Sequence, residues 1–303
     1  MNYGLPYKGS KNFIAEWVVS YLPPAENFVD LFFGGGAITH AAMCSGKYKR
    51  YVCNDLDKDM PRLFADTVQG KFHNETRWIS RDDFFKLKDT DPYVRICWSF
   101  GNNARTYLYS REIEPWKKAL HYARIFGDYS LLAAFGICSD GSFADIKAHH
   151  EEYKLKYIQW YVKDVWAYSG DCRKFYESLE RLQRLQRLER LERLQSLQSD
   201  TFITSGTDYQ EVNIPANSVV YCDPPYKDTD SYNNAFDHER FYNWLRNTDR
   251  PVWVSEYQMP PDFVCIGAKV KNVLLSQTNN SKAVEKLFIH EKWANKVWKP
   301  ILF

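Results

Sequence analysis

Asn27-Phe28-Val29-Asp30-Leu31-Phe32-Phe33-Gly34-Gly35-Gly36-Ala37-Ile38-Thr39-His40-Ala41-Ala42 decides the fold. An apolar run of strand length ends in an acid, three glycines follow, and a run of small and apolar residues begins after them. Strand, glycine turn and helix in that order open a nucleotide-binding βαβ unit. Glycine has no Cβ, so the backbone of such a turn can approach a ligand closely. The three glycines are contiguous and no helix-starting glycine follows at the later position, unlike the dinucleotide fingerprint. Asp30, just before the turn, would repel a phosphate and suits a cationic or amino-bearing ligand. Both features count against a pyrophosphate-binding dehydrogenase.

Further strand ends repeat the theme. Roughly twenty residues on, Tyr51-Val52-Cys53-Asn54-Asp55 reads as a second strand ending in an acid, at the spacing where such folds set a carboxylate on ribose hydroxyls. A ribose-containing ligand is expected. Thr201-Phe202-Ile203-Thr204-Ser205-Gly206-Thr207-Asp208-Tyr209 gives a third short strand, running into an acid and an aromatic ring. In the fourth, Val219-Val220-Tyr221-Cys222 is β-branched and aromatic, and Pro224 and Pro225 after Asp223 forbid its continuation by removing ladder donors. Taken alone, Asp223-Pro224-Pro225-Tyr226 is a strand ending in a stiff proline turn. Beside the other three ends it becomes a candidate site, because ligands of open α/β sheets bind at the carboxyl ends of the strands.

The chemistry follows from the groups presented. The first three ends suit a nucleoside-containing ligand: glycine backbone for close approach, one acid for ribose, one polar-aromatic end for a base. The fourth suits a second substrate with a planar amino group. Such a nitrogen is a poor nucleophile because its lone pair is delocalised into the ring. Hydrogen bonds from its N–H groups to the Asp223 carboxylate and the Pro224 carbonyl would favour a pyramidal nitrogen, with Tyr226 stacking on the ring for ~1–3 kcal/mol. Positioning against an electrophilic methyl would supply much of the rest.

Near the start, Pro6-Tyr7-Lys8-Gly9-Ser10-Lys11 precedes a helical pattern over Phe13–Leu22 that stops at Pro23-Pro24. It reads either as an anion-binding helix start or as a capped surface helix. Taken together and in this order, Tyr7-Lys8-Gly9-Ser10-Lys11, Asp30-Leu31-Phe32-Phe33-Gly34-Gly35-Gly36, Asn54-Asp55 and Asp223-Pro224-Pro225-Tyr226 resemble the Dam-like class (D12 class, alpha group) of DNA adenine N6-methyltransferases. The resemblance covers about residues 5–60 and 200–290. It implies a Rossmann-like α/β fold and S-adenosylmethionine as methyl donor, held by Tyr7, Lys11, Asp30, Phe32, Gly34, Gly35, Gly36, Asp55, Asp208 and Tyr209. It also implies double-stranded DNA as partner and an adenine flipped into a catalytic pocket of Asp223, Pro224, Pro225 and Tyr226. On the same footing, residues 1–60 and 200–303 form the catalytic domain and 61–199 a mainly helical inserted target-recognition domain. No metal is implied. The setting is a bacterial or phage-type cytoplasm, either within restriction-modification, with a cognate restriction endonuclease acting separately, or as an orphan enzyme. The family often has Glu-Pro-Phe where Asp30-Leu31-Phe32 stands, and Trp-Ala-Gly-Gly-Lys in place of Tyr7-Lys8-Gly9-Ser10-Lys11. RNA adenine, cytosine N4 and a glutamine amide are the competing substrates, with Asp223 favouring adenine; a non-catalytic DNA-binding relative is the remaining alternative.

Composition sets the outer bounds. At 303 residues, 45% hydrophobic and 17% aromatic, the chain can bury a large core as one domain with an insertion or as two domains. No apolar run approaches the ~20 residues that span a membrane, and the N-terminus lacks a charged start and apolar core, so a soluble, unexported protein is expected. The seven cysteines are scattered singly, against zinc and a disulfide framework and in keeping with a reducing cytoplasm. A net charge of +2, with a basic stretch from Lys269 to Lys299, permits a nucleic-acid partner without requiring one.

Between Leu56 and about residue 200 strand-like alternation gives way to helical, aromatic-rich segments. The loop Trp98-Ser99-Phe100-Gly101-Asn102-Asn103-Ala104-Arg105-Thr106-Tyr107-Leu108-Tyr109 could stack on bases and read their edges, or form an ordinary turn packed on a core. Tyr153–Tyr168 is a helix candidate. Residues 181–198 repeat leucine every third position among arginine, glutamine and glutamate. Since 3 does not match 3.6, the leucines encircle a helix instead of forming a zipper stripe. Downstream, a helix over Phe236–Leu245, a strand over Pro251–Tyr257 and a terminal pair, Ala268–Leu275 with Lys286–His290, complete the expected α/β sheet.

Overall fold

A computed structural model of the chain describes residues 3–7, 9–72, 75–135, 202–226, 236–276 and 279–297. The helix candidate Tyr153–Tyr168 and the leucine-arginine repeat of residues 181–198 lie outside the described residues. The chain divides into two units, Met1–Lys71 with Arg190–Phe303, and Phe72–Glu189.

The first unit is built on a seven-stranded sheet. Its strands are β1 (Asn27–Asp30), β2 (Arg50–Asn54), β3 (Phe202–Ser205), β4 (Ser218–Cys222), β5 (Val252–Glu256), β6 (Phe263–Ser276) and β7 (Asn279–His290), in the spatial order β3-β2-β1-β4-β5-β7-β6. β1 to β5 pair in parallel, while β7 runs antiparallel to β5 and to β6. The Rossmann-like α/β class expected from sequence is borne out. All residues of β1 and β5 are buried, as befits central strands covered on both faces, and this includes the polar Asn27, Asp30, Ser255 and Glu256.

From β1 the chain steps outward to β2 and β3, then returns to place β4 on the other side of β1. The order of winding therefore reverses between β1 and β4, and a crevice opens there at the carboxyl edge. Beside the sheet, Val29, Val52, Val220, Val254 and Phe288 belong to one buried cluster with Phe241 and Leu245. The latter two come from helix α7 (His238–Asn247), whose N-cap Asp237 accepts from the Arg240 N–H at 2.9 Å. Helix α1 (Ala15–Tyr21) packs against α2 (Ala37–Ser45), and α3 (Asp59–Val68) against β3.

The terminal hairpin is longer than the two expected strands. Its register shifts between Cys265 and Gly267, so Gly267 bends β6 without ending it. A Cβ there would stand 2.7 Å from the Tyr21 ring. Close packing against α1 is the reason for the glycine.

Within the second unit the described residues carry helices α4 (Arg81–Leu87), α5 (Pro92–Cys97) and α6 (Glu114–Phe126), with short 3-10 turns at Phe100–Asn102 and Ser130–Phe135. Asp91 caps α5 by accepting from the Tyr93 and Val94 N–H groups, and Pro92 follows it at the first helical position. Trp116, Ala119, Leu120, Ala123 and Leu132 form a core of this unit. The Trp98–Tyr109 loop closes on itself: Leu108 N donates to Trp98 O at 2.9 Å and Phe100 N to Thr106 O at 2.8 Å. The Asn103 side chain is spent inside it, accepting from the Arg105 and Thr106 N–H groups and donating to Thr106 Oγ1. Trp98, Tyr107 and Tyr109 are buried.

Candidate active site

Strand register brings the acids together. Asp30 pairs with Cys53 on β2 and with Tyr221 on β4, so two residues further along each chain Phe32, Asp55 and Asp223 leave the sheet side by side. A cavity of about 510 Å³ opens at this edge, inside the range usual for small-molecule sites. Of the expected site residues, Tyr7, Lys11, Asp30, Phe32, Gly34, Gly35, Asp55, Asp208, Tyr209, Asp223 and Pro225 line it. Gly36 starts α2, while Pro224 is buried and Tyr226 half-buried beside Asp223.

The glycine turn is shaped by its neighbours as much as by any ligand. A Cβ on Gly35 would lie 2.6 Å from the Tyr7 Cβ, and one on Gly36 would lie 2.2 Å from the Phe33 ring. Gly36 also adopts φ +68°, the left-handed conformation that glycine alone takes without strain. Leu5 N donates to Gly35 O at 2.7 Å, and Gly4 N donates to His40 Nδ1 at 3.0 Å. These contacts lay the N-terminal segment along the turn and carry Tyr7 and Lys11 to the cavity.

Asp55 is held in place before any ligand arrives. Its Oδ2 accepts from the Gly34 N–H at 2.7 Å and its Oδ1 from the Asp57 N–H at 2.9 Å. Burial raises its pKa against the lowering effect of these hydrogen bonds. The Gly34 N–H is thereby committed to a carboxylate of the protein. Asn54, absent from the expected set, clamps three chain segments: Nδ2 donates to Leu31 O and Thr207 O, and Oδ1 accepts from Ser205 Oγ at 2.7 Å and from Thr207 N at 3.1 Å.

Asp30 is 1% exposed and accepts from Thr39 Oγ1 at 2.9 Å. Burial pushes its carboxyl up to about 7, with Thr39 opposing and the charges of Asp223 and Asp55 adding to the rise. Burial thus weakens the negative charge that its position in sequence had promised.

Asp223 sits in a network of its own. Lys11 Nζ lies 3.4 Å from Asp223 Oδ1 and 3.7 Å from Glu285 Oε2. The same ammonium stands over the Tyr226 ring at 3.9 Å, and the Tyr226 hydroxyl donates to Glu285 Oε2 at 2.7 Å. Tyr257 crosses Tyr226 edge-on with ring centroids 4.6 Å apart. Burial raises the Asp223 carboxyl to about 6; Lys11 pulls it down and Glu285 pushes it up. The lysine feels the converse: burial lowers its pKa, but the two carboxylates outweigh that and raise it. Lys11 lines the shared cavity, and its side-chain contacts are with Asp223, Glu285 and Tyr226.

Asp208 accepts from the Gln210 N–H at 3.0 Å and pairs with Arg240 at 2.9 Å. Tyr209 is buried with its ring among Phe32, Phe236, Phe241 and Trp244. It lines the cavity, yet most of its surface belongs to the core. Missed in sequence were Glu285 and Tyr257 beside Tyr226, and Phe236, Asp237 and Arg240 along the cavity wall. Nothing local marked Glu285, an acid in an alternating strand.

Among the described residues no cluster of three or more His, Cys, Asp or Glu could hold a metal ion, and no helix is long and apolar enough to cross a membrane. No curated protein matches the chain. Residues 7–132 match the model of the D12 class N6 adenine-specific DNA methyltransferases, a family of enzymes that methylate adenine in DNA. The family resemblance carried by the N-terminal motifs is borne out over that stretch, which includes the glycine turn and Asp55 and ends well before Asp223.

Proposed function

We propose that the chain is a site-specific DNA adenine N6-methyltransferase, transferring the methyl group of S-adenosylmethionine to the amino nitrogen of an adenine flipped from the duplex. One observation carries this reading: the glycine turn and Asp55 of the matched segment and Asp223 outside it line a single cavity, where the sheet's winding reverses. The residues fit the methyl donor. Gly34 and Gly35 present side-chain-free backbone to the cavity, and Asp55 presents a carboxylate already oriented by two backbone N–H groups. Tyr7, Lys11, Asp30, Phe32, Gly34, Gly35, Gly36, Asp55, Asp208 and Tyr209 would hold it, with Asp55 accepting from ribose hydroxyls. When bound, S-adenosylmethionine supplies a methyl group made electrophilic by its sulfonium.

The chain's part is to bind and orient the target base. The Asp223 carboxylate and Pro224 carbonyl accept the two amino N–H groups, which localises the nitrogen lone pair. Tyr226 stacks on the ring, and Pro225 stiffens the turn that presents all three. Asp223 must be ionised to accept in this way. Residues 61–199 are the part of the chain that would read the surrounding DNA sequence.

Incubation of unmethylated genomic DNA, and separately of RNA, with radiolabelled S-adenosylmethionine tests the proposal, followed by nucleoside analysis and mapping of modified sites. N6-methyladenine in DNA at one short sequence is expected. Label in cytosine, in RNA or in protein alone would overturn it.

A further inference from the structure

Glu285 is 1% exposed and lies on β7, opposite Lys269 of β6, in a strand remote in sequence from every motif described above. A buried carboxylate is costly unless charge and hydrogen bonds compensate it. Two such contacts come from the target-base half of the site: the Tyr226 hydroxyl at 2.7 Å and the Lys11 ammonium at 3.7 Å. Lys11 is at once 3.4 Å from Asp223 and 3.9 Å from the centre of the Tyr226 ring. The ammonium is therefore shared between two acids, and the ring that would stack on the target base is held by its hydroxyl from one side and by a cation over its face.

We propose that Glu285 is a positioning residue for methyl transfer: it fixes the Tyr226 ring by the hydroxyl and holds Lys11 back from closing fully on Asp223, leaving the Asp223 carboxylate available to the amino group of the target base. The proposal rests on the functional reading above. Without Glu285, Lys11 has one acid to pair with, and a closed Lys11–Asp223 pair competes directly with the substrate amino group for the same oxygens. The groups facing Asp223 are Lys11 from the N-terminal segment, Asp30 on β1, Tyr221 and Cys222 on β4, Tyr226, Tyr257 after β5 and Glu285 on β7. Glu285→Gln removes one negative charge from this set and leaves the others in place.

The test compares wild type, Glu285→Gln and Glu285→Asp. For Glu285→Gln, kcat is expected to fall by roughly 10²-fold, the scale of a misplaced reacting group. The S-adenosylmethionine Kd should stay within about threefold of wild type, since a positioning role leaves uniform binding intact. The acid limb of kcat/KM for DNA should move to lower pH, because a charge that raised the Asp223 carboxyl is gone. Glu285→Asp, which keeps the charge, should return the limb to its wild-type position. An unchanged kcat and limb in Glu285→Gln would overturn the proposal. So would equal losses of kcat, methyl-donor affinity and melting temperature in both variants, which mark a merely structural role. A double-mutant cycle on melting temperature between Glu285→Gln and Tyr226→Phe separates this from the functional reading. Non-additive shifts support the Glu285–Tyr226 link and additive shifts overturn the proposal, whereas absence of methyl transfer by the wild type sinks the functional reading alone.

Discussion

Asp30 allows a quantitative prediction. The side chain is 1% exposed, Thr39 Oγ1 donates to it at 2.9 Å, and burial raises its carboxyl from 3.8 to about 7. Between those values the folded state keeps a proton that the unfolded chain has released. More protons are then bound to the folded than to the unfolded form, so this group makes stability fall as pH rises through the window. The interval from 3.8 to about 7, at ~1.4 kcal/mol per pH unit, amounts to about 4 kcal/mol. Asp30→Asn cannot ionise and mimics the neutral acid at nearly constant volume. Its stability relative to wild type should therefore rise by about 4 kcal/mol from pH 4 to pH 8 and level off beyond both ends, whatever constant offset the amide adds. Urea unfolding at each pH, extrapolated with a common m value, reads this difference. A difference constant to within ~0.5 kcal/mol across the range would refute the reasoning.

Four further outcomes are expected. Asp223→Ala should abolish methyl transfer while methyl-donor binding by calorimetry is largely kept; full turnover would remove Asp223 from the mechanism. In the wild type, kcat/KM for DNA should decline about tenfold per pH unit below about 6, because the protonated carboxyl no longer offers the charged acceptor, and a flat profile between pH 7 and 5 would contradict this. Asp55→Ala should weaken methyl-donor binding by ~10–100-fold, the value of a charge-assisted hydrogen bond at ~1.5–3 kcal/mol, and unchanged affinity would count against its ribose role. Gly36→Ala combines a left-handed backbone with a Cβ set 2.2 Å from the Phe33 ring, so urea unfolding should show a loss of ~2–5 kcal/mol; less than ~1 kcal/mol would mean that the turn rearranges freely.

What sequence made legible was local. β1, β2 and β4 are buried runs with an acid just beyond or at the end, and strand, stop and turn are all properties of neighbouring residues. Strand order was not legible, because pairing β4 beside β1 joins segments nearly two hundred residues apart. The same holds for β7, whose antiparallel course between β5 and β6 delivers Glu285 to the site. Tyr209 shows a different limit. An acid followed by a tyrosine at a strand end describes a ligand-binding ring and a core ring equally well, and Tyr209 both lines the cavity and packs against Phe241 and Trp244. The Trp98–Tyr109 loop is ambiguous for the same reason until Asn103 is seen to bond within it.

The electrostatics were legible in sign but not in carrier. An acid before the glycine turn correctly marks an edge of the sheet rich in negative charge, since Asp30, Asp55 and Asp223 all arrive there. Crowding and burial then act against ionisation of each of them, and Asp30, the most enclosed, is raised furthest among those with a stated value. At Asp223 the Lys11 ammonium offsets part of the cost of burial, and at Asp55 two backbone N–H groups do so. The N-terminal lysine that the resemblance implies for the methyl donor therefore lies against the acid proposed for the target base. Glu285, by sharing that lysine, extends the contacts to a strand no motif includes. Because Lys11 lowers the Asp223 carboxyl, Lys11→Met should move the acid limb of methyl transfer to higher pH, and an unmoved limb would count against that contact.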